Sequence, residues 1–252
     1  TIEKQKPDLL FCIMTGDTNY CPDEPWETII NETKSGRTKT FNWFCDDSWR
    51  FDSFSSKVCR NFHACSTVNK RHIPKFKEIG YNNILYATWH ANIDAYSNIN
   101  PIRDLPCSFV GRLSADRKSS IEYLNKKGID VHRPENPSFE DMIWTYSRSI
   151  ISLNFSKNSV NSDTQMKGRM FEIPATKSML LTEYTEGIED CFELDKEIVC
   201  FKTVTELHEK LNFFIKNPEV AIKIGNNGFK RFARQHESRV RLSGLLKELQ
   251  KI

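Results

Sequence analysis

The stretch Cys107-Ser108-Phe109-Val110-Gly111-Arg112-Leu113-Ser114-Ala115-Asp116-Arg117-Lys118 runs from a short apolar segment through a glycine into a polar, helix-forming start. An apolar run this short, closed by glycine and followed by helical periodicity, reads as a buried strand feeding a helix. The same unit recurs on both sides. Downstream, strands are expected at 129–132, 150–154, 179–182 and 198–201, with helices at 117–127, 138–148, 167–176 and 203–216. Upstream, strands are expected at 8–14, 38–44, 62–67 and 82–88, with helices at 48–59 and 69–79. A further helix opens where Asp23 or Glu24 precedes Pro25, a residue suited to the first helical turn. Strands alternating with helices predict an α/β protein with parallel sheets. The end of the chain, from Pro218, reads as helical, with breaks expected near Gly225–Gly228 and around His236.

Composition agrees with a packed α/β chain. Of 252 residues, 38% are hydrophobic and 27% charged, with 10 Gly and 10 Pro, which excludes collagen-like and disordered classes. The length suits one large domain or two of about 110–140 residues. Asn100-Pro101-Ile102-Arg103-Asp104-Leu105-Pro106 has two prolines and no periodicity, and is the expected boundary. The organisation read from this is a first domain over 1–104, a second over 105–236 and a terminal helix over 237–252. No apolar run approaches the roughly 20 residues that span a bilayer. Eight cysteines show no C-x-x-C and no zinc-module spacing. A reducing, cytoplasmic setting is expected, and the sequons at Asn31 and Asn154 are read as accidental. The formal charge is +3, concentrated at the end: residues 223–251 carry eight Lys/Arg against Glu237 and Glu248. Such an end suits a solvated helix face or an anionic surface.

Two clusters carry chemistry. Arg112, Arg117 and Lys118 gather just beyond Gly111, where a strand leads into a helix. Arginine forks and a nearby lysine suit a diphosphate, and a helix N-terminus adds partial positive charge. The pattern is neither G-x-G-x-x-G nor a P-loop, and simple surface charge is the competing reading. The second cluster is Lys167-Gly168-Arg169-Met170-Phe171-Glu172-Ile173-Pro174-Ala175, followed by Ser178-Met179-Leu180-Leu181-Thr182. Arg169 and Glu172 are three apart and share a helix face. The glutamate suits the two hydroxyls of a ribose and the arginine suits phosphate; an ordinary surface ion pair is the alternative.

Together the clusters resemble GT-B glycosyltransferases of the group 1 superfamily. Val110-Gly111-Arg112 with Lys118 is similar to their donor-phosphate loop. Arg169-x-Phe171-Glu172-x-x-Ala175 followed by Met179-Leu180-Leu181-Thr182 is similar to their nucleotide-sugar segment, closest to the spore-maturation (CgeB-like) branch. The ending from Asn217-Pro218-Glu219 to Arg241 resembles that branch as well. The likeness is strongest over 107–242 and weaker at Lys6-Pro7-Asp8, Trp43–Asp47 and Gly80–Asn83. It implies two Rossmann-like domains facing a cleft and a metal-independent enzyme without a cofactor. A nucleotide-diphosphate sugar would be the donor and a glycan or lipid-linked molecule the acceptor. By motif position, Gly111, Arg112, Arg117, Lys118, Arg169, Phe171 and Glu172 would bind the donor, and Asn92 would line the cleft. Thr164, beside Asp163, stands where many group 1 enzymes carry a second glutamate. A first domain of about 106 residues is short for this fold, so one or more N-terminal βα units are expected to be missing.

An inverting transfer needs a base near the acceptor hydroxyl. Asp46, Asp47 and His90 are the principal candidates, with His63 and Asp94 also near expected strand ends. Asp46-Asp47-Ser48 equally suits a helix cap. A retaining mechanism would need no such base. A catalytically silent nucleotide-sugar-binding module remains the alternative function, and nucleic acid is not an expected partner. Contact of the basic end with a membrane surface is a further expectation.

Overall fold

The computed structural model describes residues 2–16, 24–97, 102–158, 160 and 163–252. Cys21, Asp23, Asn100 and Pro101 lie outside them. The chain divides into two compact units, Thr1–Thr88 with Leu242–Ile252, and Trp89–Arg241.

In the first unit, β1 (Leu9–Cys12), β2 (Lys39–Phe44), β3 (Ala64–Thr67) and β4 (Ile84–Tyr86) form one parallel sheet in sequential order. Helix α1 (Trp26–Ser35) joins β1 to β2, and α2 (His72–Glu78) joins β3 to β4. Their apolar sides meet Phe44, Phe51, Phe62 and Tyr81 in a core rich in aromatic rings. Phe76 of α2 stacks on Phe44 at 5.9 Å and meets Phe51 edge-on at 4.9 Å. The helix expected at 48–59 is composite: a turn at Asp47–Arg50, a π-helical turn at Phe51–Ser55, then Ser56–Val58 and a 3₁₀ turn at Cys59–Asn61.

In the second unit, β5 (Leu105–Ser108), β6 (Ser149–Asn154), β7 (Met179–Glu183) and β8 (Val199–Phe201) form a second parallel sheet, again in sequential order. Six more helices belong to it: α3 (Ile93–Tyr96), α4 (Ala115–Lys126), α5 (Phe139–Arg148), α6 (Arg169–Ala175), α7 (Val204–Lys216) and α8 (Pro218–Gln235). The last helix, α9 (Ser238–Leu249), begins in this unit and ends in the first. Successive strand residues face opposite ways. Met179 and Leu181 therefore join Ile121 and Leu124 of α4 and Leu207 and Leu211 of α7 in one core. Leu180 joins Ile143, Met170, Phe171 and Phe232 in the other. Burial on both faces explains why β7 opens on the apolar run Met179-Leu180-Leu181.

Three expectations differ from the structure. The division between units falls at Thr88/Trp89, ahead of the proline-punctuated stretch, because Ala91 and Tyr96 are buried in the second unit's core with Trp89 packed against it. Residues 129–132 make no strand but a single bridge, Ser108 to His132, with Phe109 N donating to the His132 carbonyl at 3.0 Å. Pro134, which has no N–H, follows at once and the ladder stops. Helix α8 runs straight through Gly225 and Gly228. These glycines permit close packing: a Cβ at Gly225 would stand 2.5 Å from the Lys177 carbonyl oxygen, and one at Gly228 2.4 Å from that of Glu197. The break around His236 is present. Among the described residues no helix is long and apolar enough to cross a membrane, and Cys12, Cys45, Cys59, Cys65, Cys107, Cys191 and Cys200 are free thiols.

Candidate functional site

At the carboxyl end of β5 the backbone turns through Gly111 at φ +155°, and a Cβ there would lie 2.9 Å from Nη2 of Arg169. The turn thus brings together the two clusters, which are 58 positions apart in sequence. Beside it lies a cavity of about 670 Å³, lined by 110–113, 133–139, Met142 and Arg169. Three guanidinium groups, Arg112, Arg133 and Arg169, border it against one carboxylate, Glu135. The cavity is therefore suited to an anionic ligand, and its size is that of a small-molecule site.

One of its parts escaped the sequence reading. The loop 133–138 follows the strand that did not form, and its Asn136 sits at φ +43°, a conformation asparagine tolerates. Pro134 and Pro137 were the available signal. The loop ends in α5, whose N-terminus is closed by a capping box between Ser138 and Asp141.

Glu172 lies one turn along α6 from Gly168, where a Cβ would stand 3.2 Å from Glu172 Oε1. Burial pushes its carboxyl above the ordinary range, opposed by the Arg169 charge and by a hydrogen bond from the Tyr96 hydroxyl. Tyr146 is fully buried, with the Arg169 guanidinium beside its hydroxyl. Neither tyrosine stood out in the sequence, since each comes from a helix remote from both motifs.

The other donor-site candidates are placed as follows. Arg112 is exposed at the cavity. Arg117 turns inward, donating to the backbone carbonyls of Arg112 at 3.0 Å and Lys157 at 3.2 Å, so it ties two loops together. Burial, then the charge of Arg169, hold it below the usual arginine range. Lys118 is exposed and 3.9 Å from Glu122 one turn on. Phe171 is wholly buried against Phe192 and His236, out of reach of any ligand. Asn92 caps α3, accepting from Asp94 N at 2.9 Å. Thr164 and Asp163 fall in the loop after β6, where Thr164 bridges to Lys157.

Among the base candidates, Asp46 is partly exposed at the carboxyl end of β2. Asp47 is 1% exposed, with His72 Nδ1 at 3.8 Å and no hydrogen bond to either carboxylate oxygen among the described residues. His90 Nδ1 lies 2.9 Å from Ser238 Oγ, and burial, then Arg241, lower its pKa. His63 Nδ1 accepts from Thr40 N at 3.0 Å, and Asp94 pairs with Arg239.

The sequence matches the glycosyl transferase-like family over residues 98–247. Comparison with curated proteins finds no match. A solved glycosyltransferase from Rickettsia africae ESF-5 superposes with a TM-score of 0.68 and 15% identity, over 99% of this chain and 78% of that one. Anabaena Alr3699/HepE, solved with UDP-glucose, gives 0.66 and 9%, over 97% and 79%. TarM gives 0.70 and 10% over 98% of this chain but 56% of its own. At these identities the likeness is one of fold: two parallel four-stranded sheets with flanking helices, as in GT-B neighbours.

Proposed function

Because the chain belongs to the glycosyl transferase-like family, we propose that it transfers a sugar from a nucleotide-diphosphate sugar to a hydroxyl of a glycan or lipid-linked acceptor. The arginine-bordered cavity at Gly111 carries this reading. Arg112 and Arg169 would hold the diphosphate, Glu172 would take the ribose, and the loop 133–138 would enclose the nucleoside. Solved neighbours hold UDP and UDP-glucose, which supports a donor of that class. Within the family, the Arg169-x-Phe171-Glu172 pattern favours the CgeB-like branch.

Arginine can neutralise a leaving diphosphate without a metal, so transfer of a hexosyl or deoxyhexosyl unit should proceed in EDTA. Loss of turnover in EDTA, restored by a divalent cation, would contradict this part. Asp46, the more accessible of its pair, is the base candidate if the reaction inverts. The enclosure of Asp47 and the Ser238 contact of His90 favour the second reading, a silent donor-binding module. Free thiols suit a cytoplasmic setting. Of the basic side chains near the end, Arg231, Arg239 and Lys251 pair with Glu197, Asp94 and Glu248 and Arg241 faces His236, so contact with a membrane surface would fall to the exposed Lys223, Lys230, Arg234 and Lys247.

The test is a thermal-shift screen of UDP, GDP, dTDP, CDP and ADP on the parent, Glu172→Ala and Arg112→Ala. One nucleotide should stabilise the parent, by about 2.7 kcal/mol at 100 times its Kd, and neither variant. If none of the five binds, the donor reading fails. If one binds and no acceptor is ever glycosylated, the silent-module reading replaces transfer.

A further inference from the structure

Beyond the donor contacts themselves, we propose that Tyr96 is a positioning residue. Its hydroxyl fixes the Glu172 carboxylate so that the protein distinguishes a ribose from a sugar without the 2′ and 3′ hydroxyls. This rests on the reading of Glu172 as the ribose acceptor.

Tyr96 is 5% exposed and ends α3, a single turn. Its ring meets Phe139 edge-on at 5.6 Å, and Phe139 lines the cavity. The ring is therefore clamped between the second unit's core and the cavity wall, with the hydroxyl donating to Glu172. A carboxylate offers about four lone-pair sites. Tyr96 engages one, Gly168 leaves the adjacent space unfilled, and Arg169 supplies the charge that favours the ionised form. The remaining lone pairs are held at a fixed angle, which is what a pair of vicinal hydroxyls needs in order to donate together. A hydrogen bond to a charged acceptor is stronger than a neutral one.

Without the hydroxyl, Glu172 keeps its burial and loses a donor. It then both swings more freely and protonates more readily, and a protonated carboxyl cannot accept two hydroxyls as well. Burial already pushes this group upward, so the loss acts in the same direction as burial.

The experiment measures Kd for the ribonucleoside diphosphate that binds most tightly in the screen and for its 2′,3′-dideoxy analogue, on the parent, Tyr96→Phe and Glu172→Gln; binding of dTDP alone would overturn the proposal, since that nucleotide has no 2′ hydroxyl. The parent should prefer the ribonucleotide by about tenfold or more. Tyr96→Phe should lose most of that preference with the dideoxy Kd unchanged, and what preference remains should fade at higher pH than in the parent. Glu172→Gln should show little preference at any pH. A parent that binds both nucleotides equally would refute the ribose role of Glu172, and this proposal with it. A parent that discriminates alongside a Tyr96→Phe that discriminates equally well would overturn the proposal alone. So would equal weakening of both ligands, which marks a purely structural role.

Discussion

His236 Nε2 donates to the Cys191 carbonyl at 2.7 Å, while Nδ1 accepts from the Arg241 guanidinium. Phe171 and Phe192 flank the ring at 5.2 and 4.8 Å. An accepting nitrogen facing a cation cannot take a proton, and burial, then Arg241 and Arg231, pull the pKa down from 6.5 to about 4. The unfolded chain binds the proton first, so stability should fall as pH drops from 6.5 towards 4 and level off below. The loss should be about 2 kcal/mol between pH 8 and pH 5. Urea unfolding at both values should show it in the parent and not in His236→Gln; equal slopes would mean the ring is not held neutral. Residues at this scale divide by what the sequence could reveal. Gly111, Arg112, Arg169 and Glu172 stand out as candidates because each sits in a contiguous motif whose residue types suit one ligand. Phe171 shares that motif, but position in a motif carries no information on burial. Tyr96 and Tyr146 reach the site from separate helices, through contacts no local pattern encodes.

Helices and strands were legible wherever burial matched local periodicity, and failed where a neighbour overrode it. Glycine costs a helix interior up to about 1 kcal/mol, hence the expected break in α8. The close backbone of Lys177 and Glu197 makes glycine necessary there instead. Gly225→Ala should therefore destabilise by about 1–3 kcal/mol despite the better helix former. Gly244 in α9 has nothing within 4 Å of its added Cβ, and Gly244→Ala should stabilise by up to about 1 kcal/mol. Chemical denaturation of the two variants gives opposite signs if packing controls the first and propensity the second. A neutral Gly225→Ala would show that α8 lies further from those carbonyls. The lost strand at 129–132 has the same origin: Ile129 and Val131 are buried as a strand would bury them, yet the prolines turn the chain away to wall the cavity.

Across the whole chain, two sheets of the same order were foreshadowed by two series of βα repeats. The route of the last helix was not, because its periodicity says which face is apolar but not against what. Residues 242–252 group with the first unit, though the second unit's chain leads into them. Leu249 there is 2% exposed, and its carbonyl accepts from Lys39 Nζ at 3.4 Å beside β2. The first unit is thus completed by a segment that follows the second unit in sequence, and its sheet should depend on that segment while the second unit's sheet does not. Leu249→Ala should weaken the first unit by about 2–5 kcal/mol. In native-state hydrogen exchange, amides of β2 should lose protection while those of β7 keep theirs, and the nucleotide Kd should stay unchanged. Equal loss in both sheets would show that the two units unfold as one cooperative body. Unchanged protection in β2 would show that the terminal segment adds nothing to the first unit's stability.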